Sequence, residues 1–201
     1  MLTGTLFSVE IIDRPILFGP QRIVWTQHYI KRHYGLAVST IRIVPKMIVV
    51  HYTAIPTLAA SYRAFYPETL PSYRRRIADA SPLNVSAHYL VDRDGTIYRL
   101  MPDDWMARHV IGLNYHAIGI ENVGSDDLTP AQLDADTRLI RYLVDKYPTI
   151  HYLIGHYEYL RFEGSPLWME RDPQYRTIKQ DPGRDFMRNL KRRFPRLKDR
   201  P

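Results

Sequence analysis

Two kinds of apolar pattern alternate along this chain, one at helical spacing and one of short continuous runs. In "GPQRIVWTQHYIKRHYGL" the apolar residues Ile23, Ile30 and Tyr34 predict a helix, with Gly35 placed to cap its end. "KMIVVHYTA" is a run rich in β-branched residues and predicts a buried strand ending at His51. "TLAASYRAFY" reads as a helix, and "SAHYLVDRDGTIYRLM" as a β-hairpin turning at Asp94-Gly95. A further strand, "HAIGIENVG", closes at Gly124. The strongest helix signal is "LTPAQLDADTRLIRYLVDKYP". Thr129 stands as N-cap, Pro130 as first residue and Gln132 completes a capping box. Leu133, Ile140, Leu143, Val144 and Tyr147 then form one apolar face before Pro148 ends the element. "IHYLIGH" predicts another buried strand, ending at His156. In "YRTIKQDPGRDFMRNLKRRF" a last helix follows, with Asp181 as N-cap and Pro182 at its first position. Helices alternating with short strands predict a single α/β domain, a mixed central β-sheet flanked by helices.

Composition narrows the class. At 201 residues, 45% hydrophobic and 24% charged, the chain suits one globular domain, and no apolar run is long enough to span a membrane. The N-terminal stretch lacks the basic, apolar and small-residue regions of a signal peptide. The absence of cysteine excludes disulfides, thiolate metal ligands and a cysteine nucleophile. The net charge of +7 is concentrated in residues 184–201, where eight basic residues meet two acidic ones. That segment is expected to be a solvated helix end and frayed terminus, with weak attraction to an anionic polymer as the sharper reading. A nucleic-acid binder would spread its charge over a working face, so no nucleic-acid partner is expected.

His51 and His156 each end an apolar strand, the place where ligands gather in open α/β sheets. Neutral imidazole is a common zinc ligand, and two histidines with one carboxylate make an accepted catalytic set. Asp181 is the candidate third ligand, with Asp172 and Glu158 as competitors. Glu121 is a carboxylate in an apolar strand, where burial without a partner is costly. Ile118 and Ile120 face one side and Gly119, Glu121 and Val123 the other. Two readings stand for Glu121: a general base in a cleft, or a solvent-facing residue of an edge strand.

In order, "VVHYTA", "SAHYLVDRDGTIYRLM", "HAIGIENVG", "LIGH" and "KQDPG" resemble the zinc-dependent N-acetylmuramoyl-L-alanine amidases of type 2, relatives of phage amidases and peptidoglycan recognition proteins. The resemblance covers about residues 45–190, and its collinearity makes it specific. It implies an amidase domain over 45–190 with a zinc cleft on one side of the sheet, preceded by an extension over 1–44 and followed by a basic tail over 191–201. It implies Zn2+ held by His51, His156 and Asp181, with Glu121 and Lys179 catalytic. His109, Asn114, Trp168 and Tyr175 are expected along the substrate wall.

The chain departs from the family pattern at three places. Ala87 replaces a tyrosine found in some relatives, "MARHVIG" stands for the usual Trp-His-Ala-Gly, and residues 157–178 form a longer connection. The implied activity is hydrolysis of the amide between N-acetylmuramic acid and L-alanine, by a monomer; the substrate favours the cell envelope, and the lack of a signal-peptide pattern leaves the cytoplasm open. The alternative is a non-catalytic peptidoglycan-binding module of the same fold.

Overall fold

The computed structural model describes residues 9–71 and 80–201. The elements in chain order are β1 (Ile12–Asp13), α1 (Pro20–Tyr29), β2 (Met47–Tyr52), α2 (Leu58–Phe65), β3 (Tyr89–Val91), β4 (Ile97–Arg99), β5 (Ala117–Asn122), α3 (Pro130–Lys146), β6 (Tyr152–Gly155) and α4 (Arg184–Arg192). A π-helical turn, Ile30–Tyr34, extends α1 and ends at Gly35 in the left-handed conformation. Short 3-10 segments, Asn114–His116 and His156–Phe162, lead into β5 and out of β6.

The strands form one mixed sheet in the order β1-β4-β3-β5-β2-β6. Only β3 and β4 pair antiparallel, through the Asp94-Gly95 hairpin, and the other neighbours are parallel. The α/β architecture predicted from the sequence is therefore present.

The period of two along the strands divides the core. Ile48 and Val50 of β2, Ile118 and Ile120 of β5 and Leu153 of β6 pack with Leu139, Ile140 and Leu143 of α3 and Met187 and Leu190 of α4. The opposite face carries Met47 and Val49 of β2, Ala117 of β5 and Ile154 of β6, packed on Tyr159 and Phe162. The α3 capping box is present: the Thr129 hydroxyl accepts from the Gln132 amide and the Gln132 side chain accepts from the Thr129 amide.

Two expectations for the C-terminal region are overturned. Helix α4 starts at Arg184 behind Gly183, whose φ is 95°, and no side chain caps it. Asp181 therefore lies upstream of the helix, and its carboxylate turns elsewhere. Nor is the basic terminus frayed. The Leu153 amide donates to the Lys198 carbonyl at 2.9 Å and the Lys198 amide to His151 at 2.9 Å, so the tail covers the open edge of β6. Such pairing satisfies backbone groups that an edge strand leaves unmet. Helix α4 also runs across the expected boundary between residues 190 and 191.

Candidate metal centre and cleft

The parallel register sets His51 of β2 beside Glu121 of β5. Both belong to the sheet face away from α3, and both line a cleft of about 450 Å³. Strand β5 is interior to the sheet and Glu121 is 9% exposed, so the solvent-facing reading of this glutamate is set aside.

His156 begins the 3-10 segment immediately after β6, on the other side of β2. Asp181 is brought in by the turn before α4, and its carbonyl accepts the Tyr157 amide at 3.2 Å. A Cβ on Gly155 would come within 3.0 Å of Pro182, Met187 and Tyr157 atoms, so glycine there allows this close approach.

His51 Nδ1, His156 Nδ1 and Asp181 Oδ2 form a triangle with edges of 2.9, 3.1 and 2.9 Å. Ligand atoms at zinc-like distances in a tetrahedral site would stand about 3.3 Å apart. The donor set and its size therefore fit a divalent metal with two nitrogens and one carboxylate oxygen, leaving an open position toward the cleft. Glu158 and Asp172 take no part in it. Glu158 binds Lys191, Arg161 and the Gly155 amide, while the Asp172 carboxylate accepts the Gln174 amide.

Protonation follows from the surroundings. Burial, and then the neighbouring His51 ring, push His156 down to about 4, which leaves it neutral at pH 7 with a lone pair to give. Burial opposes the charge on Asp181, but its contacts with His156 and His51 outweigh that and hold it well below the usual carboxylate range.

His109 completes a relay behind the centre. Its Nε2 lies 3.3 Å from the Ala117 carbonyl and its Nδ1 lies 2.9 Å from His51 Nε2. A proton on His109 Nε2 leaves Nδ1 as acceptor for the His51 Nε2–H, so His51 Nδ1 faces Asp181 and His156 unprotonated. Burial first, then the His51 ring, lowers His109 well below the usual histidine range, as a neutral relay requires. A Cβ on Gly119 would meet the His109 ring at 2.8 Å, so the glycine before "IE" makes room for this ring over the sheet. Asn114 holds the loop that carries it, accepting the His109 and Val110 amides at 2.8 and 2.7 Å.

Lys179, Asn114 and Tyr175 line the cleft together with the metal triad, Glu121 and His109. Trp168 stands outside that lining, stacked on Tyr159 with centroids 6.0 Å apart and with the Arg176 guanidinium over its ring. Sequence reasoning passed over Tyr29 and Arg108, which line the cleft behind Tyr175 and are almost wholly buried. The Arg108 guanidinium lies 5.1 Å from the Tyr29 centroid and donates to Tyr175 Oη at 3.2 Å. These residues come from three distant segments, and no local spacing marks them. The only signal was that Arg108 precedes His109.

A family model described as N-acetylmuramoyl-L-alanine amidase matches residues 42–184. Among curated proteins, the chain is 33% identical over 120 residues to the 1,6-anhydro-N-acetylmuramyl-L-alanine amidase AmpD of Salmonella typhimurium, covering 53% of this chain and 64% of that one. Among solved structures it is similar to the N-acetylmuramoyl-L-alanine amidase LysC from Clostridium intestinale, with a TM-score of 0.61 at 20% identity over 95% of this chain and 100% of that one. It is also similar to a Drosophila peptidoglycan recognition protein, PGRP-SD, with a TM-score of 0.57 at 14% identity over 96% and 99% of the two chains. At these identities the structural likeness is one of fold.

Proposed function

This chain belongs to the N-acetylmuramoyl-L-alanine amidase family, and from that premise we propose that it is a zinc-dependent peptidoglycan amidase. Its bond is the amide joining the lactyl group of N-acetylmuramic acid to the L-alanine of the stem peptide. The observation that carries this reading is the convergence of His51 Nδ1, His156 Nδ1 and Asp181 Oδ2 in the cleft that Glu121 and Lys179 also line.

His51, His156 and Asp181 hold the metal. When bound there, zinc supplies a Lewis acid for the scissile carbonyl and lowers the pKa of a coordinated water to about 7. Glu121, beside His51 in the sheet, takes the proton of the attacking water and returns it to the leaving nitrogen. Lys179 brings positive charge to the oxygen on which negative charge develops, a contribution of about 3 kcal/mol for one well-placed donor. His109 keeps its hydrogen bond to His51, so the ligand ring neither rotates nor changes tautomer during turnover. The sugar and peptide enter the cleft past Tyr175, with Tyr29, Arg108 and Asn114 buried behind it.

The test is mass spectrometry of peptidoglycan digested by the purified zinc-loaded protein. Stem peptides with a free alanine amino group, and glycan retaining its lactyl group, are the expected products. Cleavage within the glycan, or between peptide residues, would refute the assignment. Binding to peptidoglycan with no product would establish the non-catalytic module instead.

A further inference from the structure

Residues 157–178 separate the second histidine of the metal triad from Lys179, and a connection of this length has to be told where to put the lysine. Residues 177–181 alternate in exposure as an extended strap does. Thr177, Lys179 and Asp181 line the cleft, while Ile178 and Gln180 point outward. Ile178 is 93% exposed, so no apolar packing seats this part of the strap. Its placement depends on its end anchors. At one end the Asp181 carbonyl accepts the Tyr157 amide at 3.2 Å. At the other end, beside the Arg176–Glu163 ion pair, one side-chain group holds the Thr177 backbone. Tyr159 Oη donates to the Thr177 carbonyl at 2.7 Å and accepts the Thr177 amide at 2.8 Å.

Tyr159 is itself fixed. It is 1% exposed, stacks on Trp168 and meets the His156 ring edge-on with centroids 5.7 Å apart. The phenol therefore transmits the position of the metal-bearing segment to the strap two residues before the lysine. Loss of the hydroxyl would leave the ring packed and both Thr177 backbone groups without this partner.

Resting on the amidase reading above, we propose that Tyr159 is a positioning residue for Lys179, its hydroxyl clamping the strap at Thr177 so that the ammonium stays aimed at the reacting carbonyl. It touches no reacting atom and acts through the lysine. Trp168, expected at the substrate wall, serves as the buttress of this clamp.

The experiment is a double-mutant cycle on the zinc-loaded protein, using Tyr159→Phe, Lys179→Met and the pair, with amide hydrogen exchange on wild type and Tyr159→Phe. Tyr159→Phe should lower kcat for stem-peptide release by about ten- to a hundredfold, the scale of an ångström-level misplacement. KM and zinc affinity should stay at wild-type values. In the Lys179→Met background the same change should cost nothing further, because the residue it positions is gone. The Thr177 amide should be protected in wild type and lose protection in the variant, with β2 and β6 unaltered. Equal losses with and without Lys179, or full kcat in Tyr159→Phe, would overturn the proposal. If wild type releases no stem peptide, the amidase reading fails, and the exchange measurement alone then decides the clamp. Thr177 protection that survives loss of the hydroxyl overturns it.

Discussion

Two buried aspartates lie on opposite faces of the sheet, and their surroundings drive them in opposite directions. Asp181, in the cleft, meets two imidazoles within 3.1 Å and is held as an anion. Asp136, on α3 behind the sheet, is fully buried, and burial raises it to about 7 against the pull of one Asn122 hydrogen bond of 3.0 Å. Asp136 Oδ1 and Asn122 Oδ1 are both buried without a partner. A proton on Asp136 removes the charge that burial disfavours, while Oδ2 goes on accepting the Asn122 amide. The Asn122 amide also reaches the His51 carbonyl at 3.3 Å, so this pair braces the strand whose other face carries His51 of the candidate metal triad. A buried carboxyl group is thus kept charged or neutral according to how many partners meet it, since an uncompensated charge is expelled from the interior.

The comparison breaks first at Asp181. Asp181→Asn removes the only anionic ligand, and zinc affinity measured by chelator competition should fall by more than about a hundredfold, beyond what loss of an outer partner costs. The metal-free fold should survive, as read by circular dichroism. A helix cap would show the opposite pattern, with zinc retained and stability lost.

Asp136 gives the next largest effect, and it has the reverse sign with pH. Because its folded-state value is raised from 3.8 to about 7, its stabilising contribution is complete below about pH 4 and is lost as pH rises through 7. The loss is on the order of 4 kcal/mol. Asp181, whose value is depressed, contributes above the unfolded carboxylate range and loses that contribution on acidification. Asp136→Asn keeps a neutral acceptor for the Asn122 amide. Urea unfolding of metal-free protein from pH 4 to 8 should therefore lose this fall in stability, with zinc affinity unchanged. A variant with the wild-type pH slope would refute the neutral brace.

His109 sharpens the picture at the smallest scale. His109→Phe removes the acceptor of the His51 Nε2–H, and zinc affinity should fall about ten- to a hundredfold while the triad stays in place. Unchanged affinity would mean that the relay does not set the His51 tautomer.

Much of this was legible in the sequence wherever physics acts locally. The two strands that carry His51 and lead to His156, the Thr129 capping box and the Asp94-Gly95 turn follow from short-range patterning; the structure has each, with β2 running one residue past His51 and β6 stopping one residue before His156. The chain's collinear motifs pointed to the family. Strand-face parity put Glu121 opposite Ile118 and Ile120, but whether its side was wet depended on β5 being interior, which is a property of the sheet order. Asp181 misled because Asp-Pro is a good helix start by local rules. Its distant partners, the two histidines, outweigh a cap, and the helix begins at Arg184. The Asn122–Asp136 pair, the Tyr159 clamp and the cluster of Tyr29, Arg108 and Tyr175 are long-range contacts that no single window of sequence displays.

On the proposed reading, the residues gathered around His51, His156 and Asp181 work through a bound zinc. One preparation carried through stripping and reloading tests it most directly, with stem-peptide release from peptidoglycan and zinc content per chain measured at each stage. Release should stop when about one zinc per chain is removed and return in proportion as zinc is restored. Undiminished release from the thoroughly stripped protein would contradict the account.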